Sequence, residues 1–313
     1  YNQFVLLVLM KKVGRFLMPE FVNLAPDIYR LRVPFSGTWT GVVLVRGTQN
    51  VLIDSAASAS DVDNYIVPAL KKLGMSLSDI HYLACTHCHG DHVGGHARIR
   101  ELCPSILMVC STASQDKLAD PLKYSRLIRA TFPAYSPEAP ASLRGVTADA
   151  LLDEGGTLAG YLRLVTTPGH DTDTVCWLDE RSGTLITGDS LQLNGTVTQG
   201  IALVMDLPGY LATLKKLKQL PIRRIVAGHD YLPLGSLAEG SDAVVAYIDA
   251  CASCMDEYAA FLRKAWDSGE LDPAGLARGL IVKVGGVMPD FLFLPLYTVT
   301  QFLESMHVKG EFK

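Results

Sequence analysis

The chain has 313 residues, long enough to bury a full core and to form one large domain with a smaller one beside it. Apolar residues make up 49% and charged residues 19%, a globular balance that excludes a disordered chain. A formal net charge of -4 supplies no electrostatic drive toward nucleic acid or an anionic membrane.

Residues 4–10 form a short apolar run followed by Lys11 and Lys12. The run is far shorter than the about 20 residues a helix needs to cross a bilayer. A signal peptide would place its basic residues before the apolar run, not after it. Residues 1–19 are therefore read as an extension, with the fold starting near Met18.

Residues 28–33 alternate as a strand, and 41–45 and 51–53 are short apolar runs around a turn at Gly47 and Asn50. Ser60 and Asp61 offer N-caps for a helix through Leu73 that Gly74 ends. A strand over 80–85 leads directly into Thr86-His87-Cys88-His89-Gly90-Asp91-His92. Residues 93–102 read as helix, 106–110 as strand and 111–132 as helix broken at Pro121. Pro133, Pro137 and Pro140 mark a loop with the character of a lid. Strands then follow over 161–165, 174–178 and 184–187, an amphipathic helix over 208–220 and a strand over 224–227. Two batches of strands with interspersed helices suit an α+β fold of two packed sheets with helices outside. From Ser241 the strands nearly vanish, and helical patterns cover 243–266, 272–281 and 295–306. The expected organisation is a catalytic domain over 20–240 and a small helical domain over 241–313.

Three of the eight histidines fall within six residues of one another, beside an aspartate. His87 and His89 are two apart and point the same way on an extended or tightly turned segment. Gly90 permits the sharp turn before Asp91 and His92. Imidazoles and a carboxylate are the ligand set of zinc, iron or manganese. A histidine-rich surface loop is the bland alternative, and the spacing straight after a β run argues against it. Three later apolar runs each end in a glycine and a ligand-competent side chain: Gly169-His170, Gly188-Asp189 and Gly228-His229. Singly each is weak, but with the first cluster they make a seven-ligand set.

These residues resemble the metallo-β-lactamase superfamily. Its His-x-His-x-Asp-His signature matches at His87, His89, Asp91 and His92, and its later ligands match at His170, Asp189 and His229. Asp54 matches the family's early aspartate, which supports the metal loop. The resemblance covers residues 24–235 and implies a four-layer αββα sandwich. It implies that His87, His89 and His170 hold one metal and Asp91, His92 and His229 the other, with Asp189 bridging. Two zinc ions are the implied cofactors, with manganese or iron as alternatives. They would share an attacking hydroxide, and Asp91 would pass its proton to the leaving group. His81, His96 and His307 are assigned no catalytic role, and Cys88 is expected to point away from the metals.

Asp189 separates the chain from the true β-lactamases of this superfamily and favours its glyoxalase II, lactonase and nuclease branches. Gln192 stands where lactonases of this kind carry a tyrosine, which counts against that branch. The C-terminal helices resemble those of lactamase-like proteins ending in a winged-helix segment, with residues 309–312 as the start of the wing. From Ser241 onward six Lys and Arg face ten Asp and Glu, which disfavours a nuclease. The expected function is hydrolysis of a small ester, thioester or lactone. A nuclease or phosphodiesterase and a mononuclear iron persulfide dioxygenase-like oxidoreductase are the alternatives. The apolar segment 291–297 is read first as core packing, then as a wall of an acyl pocket or a homodimer contact. An odd count of seven cysteines reads as reduced thiols in a cytoplasmic protein, and Cys251-Ala-Ser-Cys254 as helix packing.

Overall fold

The computed structural model describes residues 19–269 and 272–308. Residues 1–18 of the expected extension, the expected wing at 309–312 and the side chain of His307 lie outside the described residues.

Seven strands form the first sheet in chain order: β1 (Val22–Ala25), β2 (Ile28–Phe35), β3 (Thr38–Val45), β4 (Asn50–Ile53), β5 (Ile80–Ala84), β6 (Leu107–Ser111) and β7 (Ala150–Leu152). Pairing is antiparallel from β1 to β4 and parallel from β4 to β7. The second sheet holds β8 (Thr157–Leu158), β9 (Leu162–Thr166), β10 (Val175–Asp179), β11 (Thr184–Gly188), β12 (Arg224–Ala227) and β13 (Leu237–Glu239), in the order β13-β12-β11-β10-β9-β8.

The parity of the strands builds the layers. Side chains alternate across a strand, so neighbouring residues must bury against different partners. Val43, Val45, Ile53 and Ala84 of the first sheet meet Leu164, Trp177, Ile186 and Val226 of the second in a core between the sheets. Val42, Leu44, Leu52 and Leu83 face the opposite way and pack under Val62, Ile66, Leu70 and Ile99. Those four belong to α1, built of the contiguous pieces Ala59–Asp61, Val62–Ile66 and Val67–Lys72, and to α3 (His96–Leu102), which follows the short α2 (Gly90–Val93). On the far side Val165, Cys176, Leu178 and Ile225 pack under Leu207, Tyr210 and Leu214 of α6 (Leu207–Leu217). Strands covered on both faces read as continuous apolar runs, as these do. The result is the expected αββα sandwich.

Between β6 and β7 lie two further helices, α4 (Gln115–Ala119) and α5 (Pro121–Ala130). Pro121 ends one and opens the other, with the Asp120 side chain accepting from Lys123 N at 2.9 Å as the cap. After β13 come α7 (Ser241–Asp267), α8 (Pro273–Lys283) and α9 (Phe293–Val308), which share one apolar cluster with the outer face of the second sheet. Cys251 and Cys254 lie buried in that cluster, and all seven cysteines are unpaired and buried.

The start of α1 differs from expectation. Ser58, not Ser60 or Asp61, is the cap, accepting from Asp61 N at 3.2 Å, while Asp61 Oδ2 accepts from Ser58 Oγ at 2.8 Å. Strands β1, β7, β8 and β13, two to four residues each, were also not expected. Among the described residues no helix is long and apolar enough to cross a membrane.

Candidate metal centre

Five loops at one edge of the sandwich converge. Asp54 directly follows β4, and His87 and His89 lie between β5 and α2, which itself carries Asp91 and His92. His170 sits in the loop after β9, Asp189 directly follows β11, and His229 lies two residues beyond β12. Gly41 N of β3 donates to Gly228 O at 2.7 Å and Val175 N of β10 to Thr86 O at 2.8 Å, tying a strand of each sheet to a loop of the other.

The glycines before the ligands make this convergence fit. Gly188 has φ +47, and a Cβ there would lie 2.3 Å from Thr86 Oγ1, inside the histidine loop. A Cβ on Gly228 would lie 2.7 Å from Asp189 Oδ1.

All seven expected ligands come together. His87, His89 and His170 each bring a ligand atom within 4.8 Å of the others, as do His87, His92 and Asp189, and also Asp91, His92 and His229. His89 Nδ1 faces His170 Nε2 at 2.9 Å, and His92 Nε2 faces His229 Nε2 at 3.2 Å. Asp189 spans both groups, with Oδ1 3.3 Å from His92 Nε2 and Oδ2 3.6 Å from His170 Nε2. Asp91 Oδ2 lies 3.2 Å from His229 Nε2.

In four of the five rings the outward nitrogen has a polar partner, and a proton held there leaves the inward nitrogen free to donate a lone pair. His92 Nδ1 donates to Asp54 Oδ2 at 2.8 Å and His229 Nδ1 to Trp39 O at 2.6 Å. His170 Nδ1 lies 3.2 Å from Leu203 O, and His87 Nδ1 lies 3.1 Å from Thr86 Oγ1. That hydroxyl donates in turn to Asp54 Oδ2 at 2.9 Å. His89 presents Nδ1 inward, while its Nε2, 3.5 Å from Asp171 Oδ2, is buried without a hydrogen-bond partner. His87 Nε2 and Asp189 Oδ1 are buried without a hydrogen-bond partner. Buried polar atoms are rarely left so, and inward lone pairs grouped around carboxylates fit divalent cations.

Charge divides the site. Burial pushes His87 well below its usual pKa, helped by His92 and His89, and pushes His89 down to about 3. Against the same burial, Asp189 and Asp91 raise His229 to about 10, and these two with Asp54 hold His92 well above its usual value. One half therefore offers neutral imidazoles, while the carboxylates of the other half favour positive charge.

Asp54 adopts φ +63 and is buried. It also accepts from Thr86 N at 2.8 Å, so three donors of the ligand loop converge on one carboxylate. Cys88 points away, with Sγ 3.6 Å from Ser114 O. His96 is buried elsewhere against Ser55 Oγ at 2.7 Å, and His81 accepts from Asn50 N at 3.1 Å at the surface.

Residues 34–229 match the family description Metallo-beta-lactamase superfamily. The chain belongs to that superfamily. Among relatives of this superfamily member, the Beta-lactamase-like protein 2 homolog of Drosophila melanogaster is 28% identical over 230 residues, 71% of this chain and 71% of that one. The atrochrysone carboxyl ACP thioesterase of Emericella nidulans is 26% identical over 201 residues, 64% of this chain and 54% of the thioesterase. The chain spans from 52% to 71% of the length of the curated relatives it matches. In fold it is similar to a metallo-beta-lactamase family protein of Thermus thermophilus, with TM-score 0.69 and 20% identity over 92% of this chain and 95% of that one.

Sequence reasoning missed three residues around this superfamily site. Gln192, read only as an absent tyrosine, is buried with Nε2 2.6 Å from His170 Nδ1, and its Oε1 accepts from Leu203 N at 2.7 Å. Asp171 stands beside His89 and accepts from Lys117 Nζ at 2.7 Å and from Tyr124. Arg129 of α5 lines the cavity over the cluster. Only the place of Asp171, next to an expected ligand, was a signal in the sequence.

Proposed function

We propose that this chain hydrolyses a small ester or thioester with the aid of two divalent metal ions, zinc first and manganese or iron as substitutes. The observation that carries the reading is the set of inward-facing imidazoles and carboxylates at the floor of a cavity of about 720 Å³ whose walls are mostly apolar. His87, His89 and His170 would hold one ion, Asp91, His92 and His229 the other, and Asp189 would touch both. Such a pair supplies hydroxide near neutral pH and draws electron density from the scissile carbonyl.

The residues of the chain supply the rest. Asp91 lines the cavity, and its Oδ2 lies 3.4 Å from Thr40 Oγ1. Burial alone would raise its pKa, but His92 and His229 hold it ionised and able to take a proton. The proposed role of Asp91 is to carry that proton to the leaving oxygen or sulfur. Asp54 sets the ring of His92, and Leu203 O, accepting from Nδ1, sets that of His170. Ile128, Leu143, Phe291 and Phe293 exclude water and suit an acyl chain. The likeness to a thioesterase supports the thioester limb. A nuclease is less well supported, because Arg129 is the only lysine or arginine lining the cavity among the described residues.

The test is a panel of thioesters, aryl esters, lactones, phosphodiesters and β-lactams, assayed with zinc, manganese and iron. Thioester or ester turnover is expected, and His170→Ala and Asp189→Ala should lose it while melting cooperatively. Full activity in either variant overturns the assignment. One tightly held iron with oxygen consumption would establish the dioxygenase alternative.

A further inference from the structure

Arg129 sits in the last turn of α5 and reaches the cavity. Its Nη1 donates to Ser125 O at 3.0 Å and to Ser125 Oγ at 2.6 Å, and its guanidinium carbon lies 5.2 Å from the Phe293 ring centre. Tyr297 of α9 donates to Ile128 O and accepts from Thr131 Oγ1, both at 2.8 Å, which clamps this end of α5 against α9. The guanidinium is therefore held in place before any ligand arrives.

It is held without a counter-charge. Arg98, Arg100, Arg144, Arg163, Arg181 and Arg224 each pair with a carboxylate. Arg129 has no carboxylate within ion-pair distance among the described residues, and its Nε is buried with no hydrogen-bond partner. Burial lowers its pKa, while Asp91 acts to raise it across the same cavity. A cation at a helix C-terminus is favourable in itself, and the Ser125 bonds serve that end. They use Nη1 alone and leave the buried Nε unexplained. Planar oxyanions satisfy two guanidinium nitrogens at once, and such bonds are strong where water is partly excluded.

We propose that Arg129 is a subsite for an anionic group of the substrate, so that the ester or thioester bears a carboxylate on its acyl part beside an otherwise apolar body. The proposal rests on the hydrolase reading for the identity of the scissile bond, but not for the binding of the anion. Ile128, Leu143, Leu203, Phe291, Phe293 and Leu294 enclose the apolar body, and Arg129 takes the charged end.

Two experiments on the metal-loaded full chain test it separately. In the first, 1-hexanesulfonate and 1-hexanol are titrated calorimetrically into wild type, Arg129→Met and Arg129→Lys. The sulfonate should bind wild type about tenfold or more tighter than the alcohol, lose about 10- to 100-fold in the Met variant and recover in part with Lys. In the second, kcat/KM is compared for monophenyl glutarate and phenyl valerate, esters of equal chain length that differ in one carboxylate. Wild type should prefer the glutarate, and Arg129→Met should lose that preference, its loss on the glutarate exceeding any loss on the valerate by about tenfold or more.

Equal binding of sulfonate and alcohol by wild type overturns the subsite even if the variants do not fold. So does an equal loss on both esters in the Met variant. Sulfonate discrimination without turnover of either ester supports the subsite and sinks the ester reading instead.

Discussion

Replacing Asp54 by Asn changes one atom and one charge, and the structure says where the damage should fall. Oδ1 accepts from Thr86 N, and Oδ2 accepts from both Thr86 Oγ1 and His92 Nδ1. Asn tolerates the left-handed backbone at φ +63 better than most residues, so the loop should keep its path. The backbone N–H of Thr86 cannot become an acceptor, so the amide oxygen should take the Oδ1 place. The amide NH2 then occupies the Oδ2 place. Thr86 Oγ1 can turn to accept from it, but His92 Nδ1–H meets a second donor. The ring escapes by moving its proton to Nε2, the nitrogen that faces His229 and Asp189. A protonated Nε2 cannot hold a metal. Loss of such a carboxylate–histidine pair costs about 10- to 100-fold in metal affinity.

Competition with a chromogenic chelator should therefore show one ion weakened by that factor, the one proposed at Asp91, His92 and His229. The ion proposed at His87, His89 and His170 should stay. Nitrogen chemical shifts of the His92 ring in the zinc-loaded protein should show an unprotonated Nε2 in wild type and a protonated Nε2 in Asp54→Asn. Two ions bound as tightly as in wild type, or an unchanged tautomer, would refute the reasoning. Asp54→Ala is less informative, because it strips the acceptor from three buried donors at about 1–3 kcal/mol each and threatens the fold itself.

Two further substitutions probe the frame of the site. Gly228→Ala places a methyl 2.7 Å from Asp189 Oδ1 beside rigid backbone at Gly188, so the carboxylate must shift. Activity should fall about tenfold or more for a stability loss of about 1–3 kcal/mol, measured by melting, and unchanged kinetics would count against a shared role for Asp189. His96 is buried, and its pKa is pushed down to about 3. Between about pH 6.5 and 3 the unfolded chain binds a proton that the native site refuses, so its contribution to stability is present above pH 6.5 and lost as pH falls. Urea unfolding should show a fall of about 2 kcal/mol from this group between pH 6.5 and 5.0, absent in His96→Gln, and equal pH slopes in the two proteins would contradict the assignment.

The expectations failed where an element is defined by its neighbours. β8 is two residues long and β7 and β13 are three, too short to show a period of two, and each exists because an adjoining strand offers backbone partners. Ser58, Ser60 and Asp61 are all good caps by type. Which one serves depends on how the chain leaves β4, past Asp54 and Ala56 at positive φ. Gln192, Asp171 and Arg129 look ordinary in one dimension, because their meaning lies in what faces them across 22, 82 and 164 residues, at His170, His89 and Phe293.

What the amino-acid sequence determined was the sandwich and the seven side chains that converge at its edge. Apolar runs that must bury both faces demand two sheets with helices outside, as Val42, Val43, Leu164 and Val165 show by dividing between the core layers. A glycine before His170, Asp189 and His229 marks a close approach that a side chain would strain, so the positions of these three expected ligands were legible from local chemistry. The tertiary structure alone decided the rest. The cavity above the ligands is walled by α5, the loop at Pro137 and Pro140, and the segment from Val287 to Leu294, which lie far apart in the chain. A cavity is the space that separate segments leave between them, and neither its apolar walls nor the single guanidinium set into them has any signature in one segment read alone.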